Sequence, residues 1–413
     1  MKDVFARRRA RVLEQLGPDA VMVLAATPEI LIGRDTHLRY VTDAELYYLT
    51  GYVEPDAVVV LDPSSDAPFT MFVRDRDPER ELWLGKRAGV EGVRADFGAE
   101  LAHNIADLPQ QLPKLLAKTN TVYARPSARP DFDAVLQQLF AYGRNARARA
   151  GRGPHIMRDP GDILDAMRLI KDETEVELIR AAARISAEAF AETLPRVRAG
   201  MGEWEIEAIL EYGFRSRGAS GPAFPTISAS GANATVLHYT ENNAQLLDGD
   251  LLLLDAGARF QMYCGDITRT VPVSGKFTAQ QRELYDVVLA AHDAAIAVVA
   301  PGRPVDTIHF AARECLLDGL VHLGLLTPEQ RDDENALRRF YPHKTSHWLG
   351  LEVHDVGIYT RESEIVVLQP GMVLTIEPGL YLAEQAIGIR LEDDVLVTLG
   401  GHEVLTSTLA ISA

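Results

Sequence analysis

Cysteine is scarce in this sequence: Cys264 and Cys315 are the only two among 413 residues. So few cysteines exclude a fold that depends on a disulfide framework. Long hydrophobic runs are also missing, since runs such as residues 251–254 are far too short to span a bilayer. Residues 1–17 lack the apolar core of a signal peptide. We therefore expect a cytoplasmic protein without a membrane partner.

Basic residues are in the minority, because 42 Lys and Arg face 59 Asp and Glu and give a net charge of −17. Such an acidic surface repels nucleic acid and anionic membranes, so neither is expected as a partner. The early basic cluster of Arg7 to Arg9 with Arg11 lies in an amphipathic segment. We expect it to form a solvated helix face.

Motifs for covalent catalysis and phosphate binding are absent too. The sequence has no GxSxG elbow, no GxxxxGK[ST] loop and no dinucleotide fingerprint. Cys264 is an isolated thiol two residues before Asp266, a candidate metal ligand. That negative charge should raise the pKa of the thiol and make it a poor nucleophile.

The length of the chain favours two domains over one core. Apolar residues at 47% and charged residues at 24% are typical of a globular protein. Buried strands are predicted at residues 20–26, 57–63 and 68–75, which indicates an N-terminal α/β domain over residues 1–165. In residues 166–413, helices alternate with strand-rich stretches that carry the polar motifs, which indicates an α+β domain.

The start of the second domain carries a helix signal. A helical stretch begins near Ile163, and Asp172 or Thr174 is a candidate N-cap for a second helical segment. Glu175 and Glu177 would then lie in the first turn, where negative charge is favourable.

Two phrases in the second domain echo each other. Asp255 and Glu377 each end an apolar strand, with a glycine six residues before the acid and another two residues after it. Each has a second acid downstream, Asp266 after eleven residues and Glu392 after fifteen. A hairpin over that distance would bring each pair to one point. Either two related halves build a two-metal cradle, or the likeness is chance.

Four carboxylates and one imidazole form a ligand set that suits two divalent cations; these are Asp255, Asp266, His347, Glu377 and Glu392. Asp255 or Asp266 alone is more typical of a turn or cap. Glu377, however, ends a run that should be buried, where a carboxylate needs a partner or a metal. Glu392 begins another apolar run, which counts against an exposed acidic turn. The set predicts metal-assisted hydrolysis.

Histidines cluster near one of these ligands. His343, His347 and His354 fall within twelve residues of one another, without the helical HExxH pattern. Three such residues beside an acid and a tryptophan favour a functional site. His238 is a weaker candidate on chemistry alone, and the other histidines are expected to be structural.

These residues together resemble the pita-bread metallopeptidases, which include methionine aminopeptidase, prolidase and aminopeptidase P. LLLLDAG, GDITRT, SHWLG, TIEPG and RLEDD match the family's five-ligand pattern in order and spacing. The resemblance implies a pita-bread catalytic domain (creatinase/methionine aminopeptidase-like) at 166–413 behind a smaller α/β domain at 1–165. It implies two bound metal ions, with Asp266 and Glu392 bridging them. Mn²⁺ is expected, with Zn²⁺ or Co²⁺ as alternatives.

The proline-directed branch, aminopeptidase P and prolidase, fits best. VLHYTEN, PHKTSH and GLEVHDVG place His238, His343 and His354 at that branch's substrate-handling histidines. The resemblance also implies that Arg390 and Tyr381 contact the substrate.

The N-terminal region is similar to the aminopeptidase P N-terminal domain, through ELYYLTGYVEPDAVVVL and ELWLGKR. Trp83 in the second phrase resembles a residue that reaches a neighbouring subunit's active site, which implies a homodimer or homotetramer. YTRESEIVVLQPG departs from the family phrase, so the role of Arg361 stays open.

By resemblance, the activity is that of a Xaa-Pro aminopeptidase, which releases the N-terminal residue from peptides with proline in second position. Glu377 would relay a proton, His343 and His354 would stabilise the tetrahedral intermediate, and His238 would orient the proline side. Prolidase, which cleaves only Xaa-Pro dipeptides, is the alternative enzyme. A pita-bread protein reduced to a binding module is a third reading, which the complete ligand set disfavours.

Overall fold

The computed structural model describes residues 2–126, 129–331 and 333–411. They divide into two compact units, Met1–Ala166 and Met167–Ala413. None of the helices in the described ranges combines the length and the apolar character needed to traverse a lipid bilayer.

The first unit is built on a mixed sheet. Its strands are β1 (Ala20–Ala25), β2 (Val58–Leu61), β3 (Phe69–Val73), β4 (Leu101–Asn104), β5 (Thr121–Tyr123) and β6 (Ile156–Arg158). Their order is β4-β3-β2-β1-β5-β6. β2 is antiparallel to both of its neighbours, β1 and β3, and the other three pairings are parallel. The central strands are buried because their runs of Val, Leu and Phe are packed on both faces.

Helices accompany this sheet. They are α1 (Lys2–Leu16), α2 (Ala44–Thr50), α3 (Pro78–Leu84), α4 (Gly89–Phe97), α5 (Leu108–Leu115) and α6 (Pro130–Ala150). The strands predicted at 20–26, 57–63 and 68–75 are confirmed as β1, β2 and β3.

The expectation for the basic cluster on α1 was wrong for two of its four members. Arg7 and Arg11 are exposed, but Arg8 and Arg9 are buried. The Arg8 guanidinium lies over the Tyr48 ring, and the Arg9 guanidinium lies over the Phe69 ring. Arg8 also donates to the Tyr48 carbonyl and Arg9 to the Leu49 carbonyl, both in α2. Arginine can pack its planar head on an aromatic face while its N–H groups stay satisfied, so it tolerates such burial.

The second unit contains longer helices and several small sheets. Its helices are α7 (Gly161–Leu169, which spans the division), α8 (Glu173–Thr193), α9 (Glu203–Ser216), α10 (Ala279–Ala297), α11 (Asp306–His322) and α12 (Glu334–Arg338). Its strands are β7 (Gly221–Pro222), β8 (Ile227–Ser230), β9 (Leu251–Ala256), β10 (Ala258–Phe260), β11 (Tyr263–Cys264), β12 (Ile267–Pro272), β13 (Thr360–Arg361), β14 (Glu364–Ile365), β15 (Val373–Ile376), β16 (Gly379–Leu382), β17 (Ile387–Arg390), β18 (Asp393–Thr398) and β19 (Gly401–Val404).

Two halves of this unit contain the same kinds of element, a three-stranded antiparallel sheet and a pair of packed helices. One has the antiparallel sheet β12-β9-β8, and α8 packs against α9. The other has the antiparallel sheet β15-β18-β19, and α10 packs against α11. Each half has its own apolar core. This arrangement favours related halves over a chance likeness of two short phrases.

The predicted helix signal at the start of this unit is confirmed. Asp172 is the N-cap of α8, and its side chain accepts from the Glu175 N–H at 3.0 Å. The Glu175 side chain in turn accepts from the Asp172 N–H at 3.0 Å. This capping box satisfies two N–H groups that the first turn would otherwise leave without a partner.

Candidate metal centre and active site

Two adjacent strands carry the first pair of acids. Asp255 is the last residue but one of β9, and Asp266 immediately precedes β12. The strands are antiparallel, with Thr268 opposite Asp255, so the chain returns to the same end of the hairpin. Thr268 also forms a bridge with Glu392. That bridge joins the two halves of the unit at the acids.

The second half supplies the remaining acids and the imidazole. Glu377 follows β15 directly, and Glu392 directly precedes β18, which pairs with β15. The segment that carries His347 runs beside β15, since the Thr375 N–H donates to the His347 carbonyl at 3.0 Å. The Glu377 N–H likewise donates to the Thr345 carbonyl at 2.8 Å. Backbone pairing therefore sets the His347 ring beside the acids.

These side chains line one cavity of about 560 Å³, a size typical of small-ligand sites. The sequence-predicted residues in its wall are Asp255, Asp266, His347, Glu377, Glu392, His238, His343, His354 and Arg390. The cavity is thus lined by every residue predicted above as a ligand and by the three histidines predicted to handle the substrate.

Three of the five candidate ligands lie in one tight group. One ligating atom each from Asp266, His347 and Glu392 falls within 4.8 Å of the others. His347 Nε2 is 3.5 Å from Asp266 Oδ2 and 3.7 Å from Glu377 Oε1. His347 Nδ1 lies 3.1 Å from the Trp348 carbonyl, to which its N–H donates, so Nε2 is the nitrogen that faces the acids. Asp255 lies outside this group, with its Oδ2 bound to Arg390.

The electrostatics of this group fit divalent cations. Burial and the charges of neighbouring carboxylates raise the pKa of Asp266 and of Glu392 well above the ordinary values. Burial also raises the pKa of Glu377, against the opposing effect of His347 and Arg390. Within the described part of the chain, Asp255 Oδ1 and Asp266 Oδ1 are buried without a hydrogen-bond partner. A bound divalent cation would stabilise the charged form of these clustered carboxylates and would bind their unpaired oxygens.

A hydrogen-bonded chain leads from Arg390 to His343. Arg390 Nη1 donates to Tyr381 Oη at 2.9 Å, which leaves the tyrosine proton to donate to His343 Nε2 at 2.8 Å. His343 Nδ1 in turn donates to the Lys344 carbonyl at 2.7 Å. Burial and the Arg390 charge lower the pKa of His343 to about 3. His343 is therefore a neutral imidazole with a defined tautomer.

His354 packs against His347, with the two rings edge to face and their centroids 4.5 Å apart. The next residue, Asp355, is anchored from two sides: it accepts from Arg168, and Lys171 Nζ is 3.1 Å from its Oδ2. All three side chains are at most 2% exposed. This buried ion-pair network fixes the loop that carries His354, a role that sequence reasoning missed.

We expect Asp355→Asn to lower the free energy of unfolding by about 3–5 kcal/mol near neutral pH, because it leaves two buried cations without their shared partner. Burial alone would raise the pKa of Asp355, but Lys171 and Arg168 outweigh it and hold the pKa below its ordinary value. A depressed folded pKa stabilises the protein above the unfolded pKa of about 3.9, and that stabilisation is lost as pH falls through the folded pKa.

Urea unfolding between pH 8 and pH 3 measures this effect. The gap between wild type and Asp355→Asn should be constant down to about pH 5 and should narrow below about pH 4. Glu352→Gln is the control, since Glu352 pairs with the same Arg168 from a half-exposed position and should cost less than about 1 kcal/mol. Equal losses in the two variants would rule out the anchor.

A second network behind the acids was also missed. Asp393 and Asp394 are buried in β18, which excludes an exposed acidic turn at Glu392. Asp393 accepts from Arg269 at 2.8 Å, and His292 Nε2 lies 3.2 Å from it. Asp394 accepts from the Asp266 N–H at 3.1 Å and so orients that candidate ligand. The signal was available in the sequence, as two further acids at the start of an apolar strand.

Other candidates are placed as follows. Burial raises the pKa of the Cys264 thiol to about 12, with Asp355 and Asp266 adding to the shift, so the prediction of a poor nucleophile is confirmed. Trp83 lies on α3 of the first unit with 84% of its surface exposed, and is not among the described residues that line the cavity. Arg361 is exposed in the β13–β14 hairpin and does not line the cavity either.

The fold and this cavity define a two-domain metallopeptidase of the pita-bread class, with an α/β domain ahead of the catalytic one. The chain belongs to metallopeptidase family M24, whose family model matches residues 177–399. Residues 5–123 match the model of the aminopeptidase P N-terminal domain.

Individual relatives resemble the chain over nearly its whole length. It is 37% identical to the Xaa-Pro aminopeptidase of Escherichia coli, over 98% of this chain and 94% of that protein. Its structure matches a Pseudomonas aeruginosa aminopeptidase with a TM-score of 0.95 at 41% identity, covering 100% of this chain and 96% of that one. An Escherichia coli aminopeptidase P in complex with substrate matches with a TM-score of 0.94 at 36% identity and the same coverage. The predicted fold class is confirmed.

Proposed function

We propose that this chain is a metal-dependent Xaa-Pro aminopeptidase, which releases the N-terminal residue from peptides with proline in second position. The observation that carries the proposal is the group of Asp266, His347 and Glu392 in the wall of a cavity that three further histidines share. Relatives that match nearly the whole chain are named for this activity, which supports it further.

Two divalent cations would be held by five side chains, Asp255, Asp266, His347, Glu377 and Glu392. We propose Mn²⁺, with Zn²⁺ or Co²⁺ as alternatives, because hard carboxylates with one imidazole suit these ions. When bound, such a pair lowers the pKa of coordinated water towards ~7 and polarises the scissile carbonyl. Asp255 keeps Oδ1 available while its Oδ2 binds Arg390. Thr268 Oγ1, 2.7 Å from Glu392 Oε2, orients a second ligand.

The chain's own residues then divide the work of peptide cleavage. Glu377 takes a proton from the attacking water and returns it to the proline nitrogen, the leaving group. His354 donates to the oxygen that gains charge in the transition state, and His354 and His343 both position the scissile carbonyl. The single N–H of neutral His343 is bound to the Lys344 carbonyl, so its part is positioning. His238, in the same wall, orients the proline side of the peptide. Arg390 and Tyr381 contribute to substrate binding by orienting His343, through the hydrogen bonds from Arg390 to Tyr381 and from Tyr381 to His343.

A peptide bond to proline calls for a specialised peptidase. The ring fixes φ and the tertiary amide has no N–H, so a general peptidase that pairs with an extended strand loses its donor there. A site that holds the peptide by the metal centre and the surrounding imidazoles does not need that donor. The free amino terminus would bind beside the acids, which limits cleavage to the first residue.

We extend the proposal to the state of the protein in the cell. Its two cysteines are free thiols, in keeping with a reducing, cytoplasmic compartment. We also propose a homodimer or homotetramer, in which the exposed Trp83 reaches the site of a neighbouring subunit. Trp83→Ala would then lower peptide cleavage without changing the metal content.

A panel of three peptides tests the activity: a Xaa-Pro dipeptide, a Xaa-Pro-Xaa tripeptide and a Xaa-Ala-Xaa control, with metal-stripped protein reloaded with Mn²⁺. We expect metal-dependent cleavage of the tripeptide at the Xaa-Pro bond and little cleavage of the control. Cleavage of the dipeptide alone would identify a prolidase instead. Failure to cleave any of the three with two metals bound would reject the proposal and favour a binding module.

A further inference from the structure

His238 is presented to the cavity by a loop without regular structure. The loop runs from a short 3₁₀ turn at Gly231–Thr235 to β9, and its residues 236–250 form neither helix nor strand. The His238 side chain is exposed and lines the cavity. Among the described residues none forms a hydrogen bond to its ring, so the imidazole depends on the backbone of the loop for its position.

One buried carboxylate binds the chain on both sides of His238. Glu203, the first residue of α9, is fully buried. Its Oε1 accepts from the Ser230 N–H at 2.7 Å, the Ser230 hydroxyl at 2.8 Å and the Asn233 amide at 3.1 Å. Its Oε2 accepts from the Tyr239 hydroxyl at 2.8 Å and the Ala244 N–H at 3.0 Å. Five donors from residues 230–244 thus converge on one side chain.

The donor that matters most is Tyr239, the immediate neighbour of His238. Its ring is buried in a small apolar cluster with Ile227, Leu253 and Tyr381. Its hydroxyl points the other way, to Glu203. Ring packing and the hydroxyl bond together leave the backbone at His238 little freedom. The same cluster contains Tyr381, which binds His343, so the Tyr239 ring packs with a residue that supports another histidine of the cavity.

The chemistry of position 203 is restricted to a carboxylate. Each oxygen accepts from a backbone N–H, that of Ser230 at Oε1 and that of Ala244 at Oε2, so an amide N–H₂ on either side would face an N–H that cannot accept. Burial by itself would raise the pKa of Glu203, but the hydrogen bonds from Ala244, Asn233 and Ser230 lower it below its ordinary value. The side chain is therefore an ionised acceptor, and its bonds are of the stronger, charge-assisted kind.

We infer that Glu203 is a positioning residue for His238: through Tyr239 and Ala244 it fixes the loop that presents the imidazole to the peptide. The inference rests on the proposed function, since it assigns Glu203 a part in the same reaction. Glu203 lines neither the cavity nor the acid cluster, and it acts only through the loop. No feature of the local sequence distinguishes it from other helix-starting acids.

A double-mutant cycle tests this inference. We expect Glu203→Gln to lower kcat/KM for a Xaa-Pro-Xaa tripeptide by about 10- to 100-fold, the loss that a displaced substrate-positioning group causes. In a His238→Ala background the same change should cost less than about twofold, because the group it positions is gone. Metal content should equal that of wild type. An equal loss of kcat/KM in both backgrounds would show that Glu203 has only a structural role.

Two further variants distinguish loss of the positioning role from a general loss of folding. Glu205→Gln changes a residue of the same first turn. Among the described residues, the Glu205 carboxylate accepts only from the Gly202 N–H at 2.7 Å, so this variant should show no coupling to His238. Tyr239→Phe removes one hydroxyl and should lower kcat/KM several-fold, again only when His238 is present. If neither Glu203→Gln nor Tyr239→Phe changes kcat/KM, the inference is wrong.

A readout without activity separates this inference from the proposed function. In metal-free protein, the imidazole NMR signals of His238 should move in Glu203→Gln and in Tyr239→Phe but not in Glu205→Gln. If wild type cleaves no Xaa-Pro peptide while these signals move, the proposed function fails and the positioning role stands. If wild type is active and the signals do not move, the positioning role fails alone.

Discussion

Asp266→Ala should abolish metal loading and peptide cleavage together, with kcat/KM falling by roughly a thousandfold or more. Changes beside a metal ligand already cost 10- to 100-fold in affinity or activity, and loss of a ligand costs more. Asp266 is one of the three residues whose ligating atoms lie together: its Oδ2 is 3.5 Å from His347 Nε2, and its Oδ1 has no described partner. Metal analysis of the purified variant, alongside tripeptide cleavage, measures both effects.

The metal-free form of this variant should be at least as stable as metal-free wild type. The substitution removes the Asp266 carboxylate, one of several buried carboxylates whose charged form is disfavoured by burial and by mutual repulsion. The control is Asp286→Ala, which removes an exposed acid that pairs with Arg282 on α10 and should leave metal binding and activity unchanged. Full metal loading of Asp266→Ala with full activity would show that this residue is not a ligand.

His354→Ala should leave the metals bound and lower kcat by about 10²- to 10³-fold, the usual effect of losing one donor to a developing oxyanion. The His354 ring packs edge-on against His347 but lies outside the group of ligating atoms. Burial and the neighbouring His347 lower the pKa of His354, so it is a neutral donor at the pH of the assay. Metal content and single-turnover kinetics separate binding from the chemical step.

The matched control for this variant is His322→Ala, at the last residue of α11 and outside the cavity wall. It should keep wild-type turnover. Unchanged turnover in His354→Ala would refute the role in the transition state. Loss of metal from that variant would instead show that the ring supports His347, and that its effect on turnover is secondary.

Local patterns predicted the fold where one segment contains the whole signal. The strand at Val58–Leu61 follows from a run of β-branched residues. The start of α8 follows from a capping residue, Asp172 or Thr174, ahead of acids that suit a first turn. The burial of Arg8 and Arg9 was not predictable in the same way. It depends on the Tyr48 and Phe69 rings, which the chain brings near from distant segments.

The candidate ligands were predictable because each lies in a distinctive phrase, and the four acids among them lie at or directly beside a strand end. Which of them come within ligating distance of one another was not, since Asp266, His347 and Glu392 meet through the Thr268–Glu392 bridge and the pairing of the His347 segment with β15. Long-range contacts between halves of a unit leave no trace in local periodicity.

Supporting residues were the least visible from sequence. Asp355 and Glu203 are single acids in ordinary surroundings, and their functions appear only when distant donors converge on them. Charge in an apolar run is a usable signal, as Asp393 and Asp394 show. A lone acid at a helix start or in a loop has the same appearance whether it caps the helix or orders a catalytic loop.

Titration of Mn²⁺ into metal-stripped protein, with bound metal per chain and tripeptide cleavage followed in the same samples, is the most direct measurement. We expect cleavage at the Xaa-Pro bond to be absent from the stripped protein and to appear as the metal content rises to two ions per chain. Full cleavage by stripped protein, or two bound ions without cleavage of any Xaa-Pro peptide, would contradict a metal-dependent Xaa-Pro aminopeptidase.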